Sequence, residues 1–135
     1  MKLYLIRHGE TDWNKIKKLQ GATDIPLNEN GEALAKATCE GMKDIDFDVI
    51  FTSPLKRAYR TAELVRGERK IPLIIEKRIQ EIGFGDYEGV ILKAEGGNIP
   101  DPDFVFFFTK PDKYKTPPNG ESIPELLKRT GGFLE

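Results

Sequence analysis

Residues 1–14 read MKLYLIRHGETDWN, and the fold turns on how the join at residues 6–9 is read. Leu3, Tyr4, Leu5 and Ile6 form a continuous apolar run, which over residues 2–7 predicts a short buried strand ended by His8-Gly9. His8 is the only histidine among 135 residues. At the end of a strand it can be an ordinary polar cap or a nucleophile, and the rest of the chain has to separate the two.

Working outward, residues 9–30 read as a long loop containing Pro26, and Asn30-Gly31 precedes a predicted helix to about Met42. Leu34, Thr38 and Met42 share one face of that helix, with Ala35 and Cys39 beside it. Residues 48–52 (Val49, Ile50, Phe51) predict a second strand. Ser53-Pro54 then supplies an N-cap and a first-turn proline for a helix to about Arg66, with Leu55, Ala58, Ala62 and Val65 inward. Residues 71–75 predict a third strand, at a sheet edge because of Pro72. Beyond Gly83 the pattern loosens: Gly96-Gly97, Pro100, Pro102, Pro111, Pro117 and Pro118 interrupt it, and residues 104–108 form an aromatic cluster suited to a core plug or, less readily, a ligand box. Residues 83–118 are thus expected to form an irregular, lid-like part of a single domain spanning 1–135. A last helix is predicted over 122–129.

The β-α-β-α-β order predicts an α/β fold with parallel strands and right-handed crossovers. The carboxyl ends of all three strands then share one rim, where ligands of open α/β sheets bind. Arg7-His8-Gly9 follows the first strand, residues 53–57 the second, and Glu81 comes soon after the third. Each residue alone has a plain reading: a capping histidine, an arginine paired on the surface, a solvated glutamate. Their convergence favours a site.

That set of groups fits phosphoryl chemistry. Arg7 and Arg57 can fork onto phosphate oxygens, and their charge disfavours imidazolium, so His8 keeps a free ring nitrogen near pH 7. A neutral imidazole can attack phosphorus and hold the phosphoryl group covalently. Glu81 can protonate the leaving oxygen and then deprotonate the attacking water. Asn14 and Gln20 offer neutral hydrogen bonds, and Gly9 and Gly21 let the backbone approach closely.

Bulk properties restrict the alternatives. With 21 basic and 22 acidic residues the net charge is -1, which gives no general field for nucleic acid or an anionic membrane. Cys39 is the sole cysteine, so neither a disulfide framework nor a thiolate metal site is expected, and a cytoplasmic location is the expectation. The apolar run at residues 3–6 is too short for a signal peptide, and that at 104–108 is too short for a membrane span.

RHGETDWN (7–14), LQGATDIPLNENG (19–31), FTSPLKRAYRTA (51–62), EIGFGDYEG (81–89) and PPNGES (117–122) occur in an order and spacing that resemble the histidine phosphatase superfamily, also called phosphoglycerate mutase-like. The resemblance implies a three-layer α/β/α fold with a mostly parallel sheet. It implies phosphomonoester hydrolysis through phospho-His8, with Arg7 beside the nucleophile, Arg57 as second phosphate ligand and Glu81 as acid/base. Asn14, Gln20 and Gly21 match positions that contact phosphate or substrate. It implies no metal or other cofactor, and a small phosphorylated substrate. The second motif looks closer to the small phosphatases than to glycolytic mutases, so mutase-type phosphotransfer is the alternative within the family.

One family feature is missing. The resemblance implies a second pocket histidine, on a later strand beside the first, and the chain has no second histidine. The expectation is a C-terminally truncated fold of weak or no turnover, since one lost donor to the phosphoryl group costs on the order of a hundred- to thousand-fold. An inactive phosphate-binding relic or fragment is the competing reading. The free edge of residues 2–7 is then expected to recruit a second copy or another partner chain, or to leave the fold poorly stable.

Overall fold

The computed structural model of the chain describes residues 1–92 and 98–134; the Gly96-Gly97 break lies outside them. Two short parallel strands, β1 (Ile50–Thr52) and β2 (Leu73–Ile75), pair in register Ile50↔Leu73, Phe51↔Ile74 and Thr52↔Ile75. The Ile50 N–H to the Pro72 carbonyl (2.9 Å) and the Glu76 N–H to the Thr52 carbonyl (2.8 Å) extend the ladder at both ends. Each strand is three residues, shorter than the five predicted.

The crossover between them is α3 (Lys56–Arg66), which packs on α2 (Glu29–Gly41). Ser53-Pro54 forms the turn before α3 and does not cap it: Ser53 Oγ accepts the Leu55 N–H at 3.3 Å, and Leu55 occupies the cap position. Leu55, Arg57, Thr61, Ala62 and Val65 are buried, while Ala58 is only half-buried. Helix α2 begins earlier than expected because Asn28 Oδ1 caps it, accepting the Gly31 N–H at 2.9 Å. Its buried residues are Gly31 and Ala35, and Leu34 is 60% exposed. The cause is Gly31, where a Cβ would overlap the Glu10 carbonyl; this close approach, rather than Leu34, sets the helix rotation.

The expected loop at residues 9–30 contains one helical turn, α1 (Asp12–Lys15). Among the described residues of 83–118 there are three 3₁₀ turns and the short α4 (Phe106–Thr109). They are not merely irregular: Leu19, Ile82, Phe84, Ile99 and Phe104 form a buried cluster. Phe107 packs edge-on against Phe84 (4.9 Å between centroids) and Tyr114 (5.2 Å), so the aromatic run is mainly core. Burial in this cluster pushes the Tyr114 hydroxyl up to about 12. Helix α5 (Ile123–Leu134) runs further than predicted. Arg129 anchors it, forking onto Glu121 (2.7 and 2.6 Å) and donating to the Gln80 carbonyl at 2.8 Å.

Residues 2–7 are the largest departure. They form no strand, because among the described residues no segment hydrogen-bonds to their backbone as a ladder. Leu3, Leu5 and Ile6, predicted as core, are 65%, 88% and 47% exposed. An open groove of about 1300 Å³ is lined by residues 1–8, residues 44–53 and Phe133, with Tyr4 packed edge-on against Phe47 at 5.3 Å between centroids.

Candidate active site

Arg7, His8, Asn14, Gln20, Gly21, Arg57 and Glu81 all line one cavity of about 260 Å³. Of the two glycines expected to let the backbone approach, Gly21 lines this cavity and Gly9 does not.

Helix α3 locks two of them together. The Gly9 N–H donates to Thr61 Oγ1 at 3.0 Å, and Thr61 Oγ1 donates back to the Arg57 carbonyl at 2.7 Å. The residue after the histidine and the arginine that faces it are thus fixed by one hydroxyl. Gly9 must be small, since a Cβ there would sit 2.6 Å from the Gly31 carbonyl oxygen.

His8 Nδ1 lies 2.8 Å from the Gly9 carbonyl oxygen. A carbonyl only accepts, so Nδ1 carries the proton and Nε2 holds the free lone pair. Partial burial pulls the imidazole pKa below its ordinary 6.5; the Gly9 hydrogen bond opposes this, Arg57 and Arg7 lower it further, and Glu81 opposes weakly. The neutral form therefore dominates at pH 7.

Arg57 is 1% exposed. Its guanidinium donates to the Thr23 carbonyl at 2.8 Å and the Gly21 carbonyl at 2.7 Å, while Nε is buried without a partner. Among the described residues no carboxylate lies within 4.0 Å of it. Burial lowers its pKa, and the fields of Glu81, Asp24 and Glu88 act the other way. A guanidinium stays charged even so. A buried guanidinium whose hydrogen bonds go only to carbonyls is suited to an anion beside it, since an uncompensated buried charge is costly.

The loop carrying those carbonyls is itself clamped. Glu88 accepts from the Ala22 N–H (2.8 Å), the Phe84 N–H (2.9 Å) and the Thr23 hydroxyl. Gly21 sits at φ +56° with Glu88 against it, so a side chain there would be strained and would overlap the carboxylate.

Thr11, fully buried, organises the two amides. Its N–H donates to Asn14 Oδ1 at 3.0 Å, and its hydroxyl lies 3.0 Å from Asn14 Oδ1 and 2.9 Å from Gln20 Oε1. Both acceptor oxygens face Thr11, which leaves the two NH₂ groups as donors on residues that line the cavity. Sequence reasoning passed over Thr11, although Thr-x-x-Asn before a helical turn is a capping signature. It also passed over Lys17 and Lys18, which line the same cavity. Glu81 is exposed, with Oε1 accepting the Ile82 N–H at 3.0 Å, and Arg7 is exposed at the mouth. Among the described residues there is no metal-binding cluster of three or more His, Cys, Asp or Glu, and no helix long and apolar enough to cross a membrane.

Comparison with known proteins points the same way as the geometry. The sequence profile of the histidine phosphatase superfamily (branch 1) matches residues 3–135. The chain is 42% identical to the uncharacterized phosphatase PhoE of Bacillus subtilis, over 96% of this chain and 61% of that protein. It is 36% identical to phosphoserine phosphatase 1 of Hydrogenobacter thermophilus, over 100% of this chain and 63% of that protein. Among solved structures, YhfR of Bacillus stearothermophilus superposes with a TM-score of 0.83 at 35% identity, covering 95% of this chain and 62% of that one. The chain thus spans about three fifths of the length of these relatives.

Proposed function

The chain belongs to the histidine phosphatase superfamily (branch 1), and from that premise we propose that its cavity carries out phosphomonoester hydrolysis through a phosphohistidine on His8. The observation that carries this reading is Arg57, a buried guanidinium with an unpartnered Nε, lining one cavity with a neutral imidazole whose Nε2 is free.

In the first step His8 Nε2 attacks phosphorus, the N–P bond forms and the P–O bond to the leaving group breaks. Arg57, Arg7 and the NH₂ groups of Asn14 and Gln20 stabilise the oxygens in flight, with the Gly21 backbone alongside. Glu81 gives a proton to the departing oxygen. In the second step Glu81 removes a proton from water, whose oxygen attacks phosphorus and frees His8. No step uses a metal. The described residues of 83–118 act as the lid-like wall of this single domain, presenting Phe107 and Phe108 to the cavity. The substrate is a small phosphorylated molecule, as the name phosphoserine phosphatase states for the Hydrogenobacter relative. The lone Cys39 supports a reducing, cytoplasmic setting.

The exposed apolar residues 3–6 and their groove favour a second role, association through that edge with another copy of the chain. With a single histidine, turnover by these 135 residues is slow. Hydrolysis of an aryl phosphate by the wild-type chain beside His8→Ala tests the reading. Slow turnover abolished by the substitution supports it. Equal turnover in both overturns the His8 mechanism, and bound phosphate with no turnover in either leaves a phosphate-binding protein.

A further inference from the structure

Thr11 is fully buried and lines no part of the cavity, yet both amides that line it hydrogen-bond to Thr11. Part of its role is a helix cap: Oγ1 accepts the Asn14 N–H at 3.1 Å at the start of α1. A cap uses only the acceptor side of a hydroxyl. The one proton remains, with two amide oxygens in reach, Asn14 Oδ1 at 3.0 Å and Gln20 Oε1 at 2.9 Å.

The two oxygens differ in need. Asn14 Oδ1 already accepts the Thr11 N–H at 3.0 Å, whereas Gln20 Oε1 has no other donor among the described residues. Gln20 is 8% exposed, and a buried amide oxygen left without a donor costs about 1–3 kcal/mol. The proton therefore goes to Gln20. Its backbone is held independently: Leu19 accepts the Gly89 N–H at 2.8 Å and donates to the Val90 carbonyl at 2.9 Å, and the Gln20 carbonyl accepts the Thr23 N–H at 3.1 Å. One hydrogen bond thus decides which end of the Gln20 amide meets the cavity. The turned amide would donate to Thr11 Oγ1, send the hydroxyl proton to the already served Asn14 Oδ1 and set an oxygen against the oxygens of a bound phosphate.

We infer that Thr11 is a positioning residue for the reaction: its hydroxyl proton, donated to Gln20 Oε1, keeps the Gln20 NH₂ group turned onto the phosphate. Asn14 does not depend on that proton, because the Thr11 N–H holds its oxygen separately. The inference rests on the phosphatase reading above and adds to it a residue that touches neither substrate nor nucleophile.

The test pairs calorimetric titration of the 135-residue chain with inorganic phosphate and NMR of its side-chain amides. In the wild-type chain phosphate should shift the Gln20 NH₂ signals. Thr11→Val should weaken phosphate about tenfold, the loss of one hydrogen bond to a charged group, while Thr11→Ser, which keeps the hydroxyl, should stay within about twofold of wild type. In a Gln20→Ala background Thr11→Val should add about twofold at most, since its effect passes through Gln20. A merely structural cap would give the same loss in both backgrounds, and that result overturns the inference. So does Thr11→Ser binding as weakly as Thr11→Val. Phosphate binding that leaves the wild-type Gln20 NH₂ signals unmoved overturns it as well and leaves the phosphate site standing; this measurement needs no substitution and decides the matter if Thr11→Val does not fold. Failure of the wild-type chain to bind inorganic phosphate overturns the parent reading and the role of Thr11 with it.

Discussion

Residues 2–6 and residues 8–14 are neighbours in sequence and opposites in how they are held. The second stretch is fixed by contacts that the chain makes nearby or with one helix: Gly9 to Thr61, Thr11 to Asn14 and Gln20, and the Asn28 N–H to the Glu10 carbonyl. The first is apolar over residues 3–6 and exposed, because a strand is stable only when another strand satisfies its edge. A cavity built from caps, turns and a helix can thus be ordered beside an apolar stretch that pairs with no strand among the described residues. The difference separates the chemistry of the site from the cohesion of the sheet behind it.

Breaking the ordered side should have the largest effect. Arg57→Ala should weaken phosphate binding by about a hundred- to thousand-fold in a titration, and Arg57→Lys should not restore it. A lysine cannot span the Gly21 and Thr23 carbonyls and still present a donor to the phosphate. Glu88→Ala should follow. Three donors lose their acceptor, which costs about 2 kcal/mol of stability in denaturant unfolding, and phosphate affinity falls as the Arg57 carbonyls loosen.

On the exposed side, Leu5→Lys should lower self-association by about tenfold or more in sedimentation, since a charge on a free strand edge opposes pairing. Phosphate affinity should be unchanged. If this substitution alters phosphate binding as strongly as it alters association, the two regions are not separable.

The smallest effect sharpens the electrostatics. The single histidine gives one imidazole titration in NMR, with a midpoint below 6.5. Because the folded value is depressed, the nucleophilic form and its share of stability persist above 6.5 and are lost as pH falls through that lower midpoint. Arg57→Ala and Arg7→Ala should each raise the midpoint, Arg57 by more.

The site was legible where short motifs dictate local geometry. His8, Arg57 and Glu81 were expected on one rim from the β-α-β order, and they share a cavity. The order holds only through β1, α3 and β2, because the apolar pattern at residues 3–6 reports suitability for a strand and not the presence of a partner. Leu34 misled for a similar reason: a hydrophobic face was visible in sequence, while the glycine contact that rotates α2 was not. Thr11, Lys17 and Lys18 escaped notice because their roles come from tertiary hydrogen bonds and from placement in a shared cavity. The aromatic run divides between the two roles weighed for it: Phe104 is buried against Phe84, while Phe107 and the 61% exposed Phe108 line the cavity.

The central claim is that His8 takes the phosphoryl group on Nε2. Brief exposure of the chain to a ³²P-labelled phosphomonoester, followed by a denaturing quench and peptide mapping, tests it directly. The account predicts one acid-labile, base-stable label on the peptide holding His8, absent in His8→Ala. Label on any other residue, or turnover by the wild-type chain with His8 unlabelled, would contradict it.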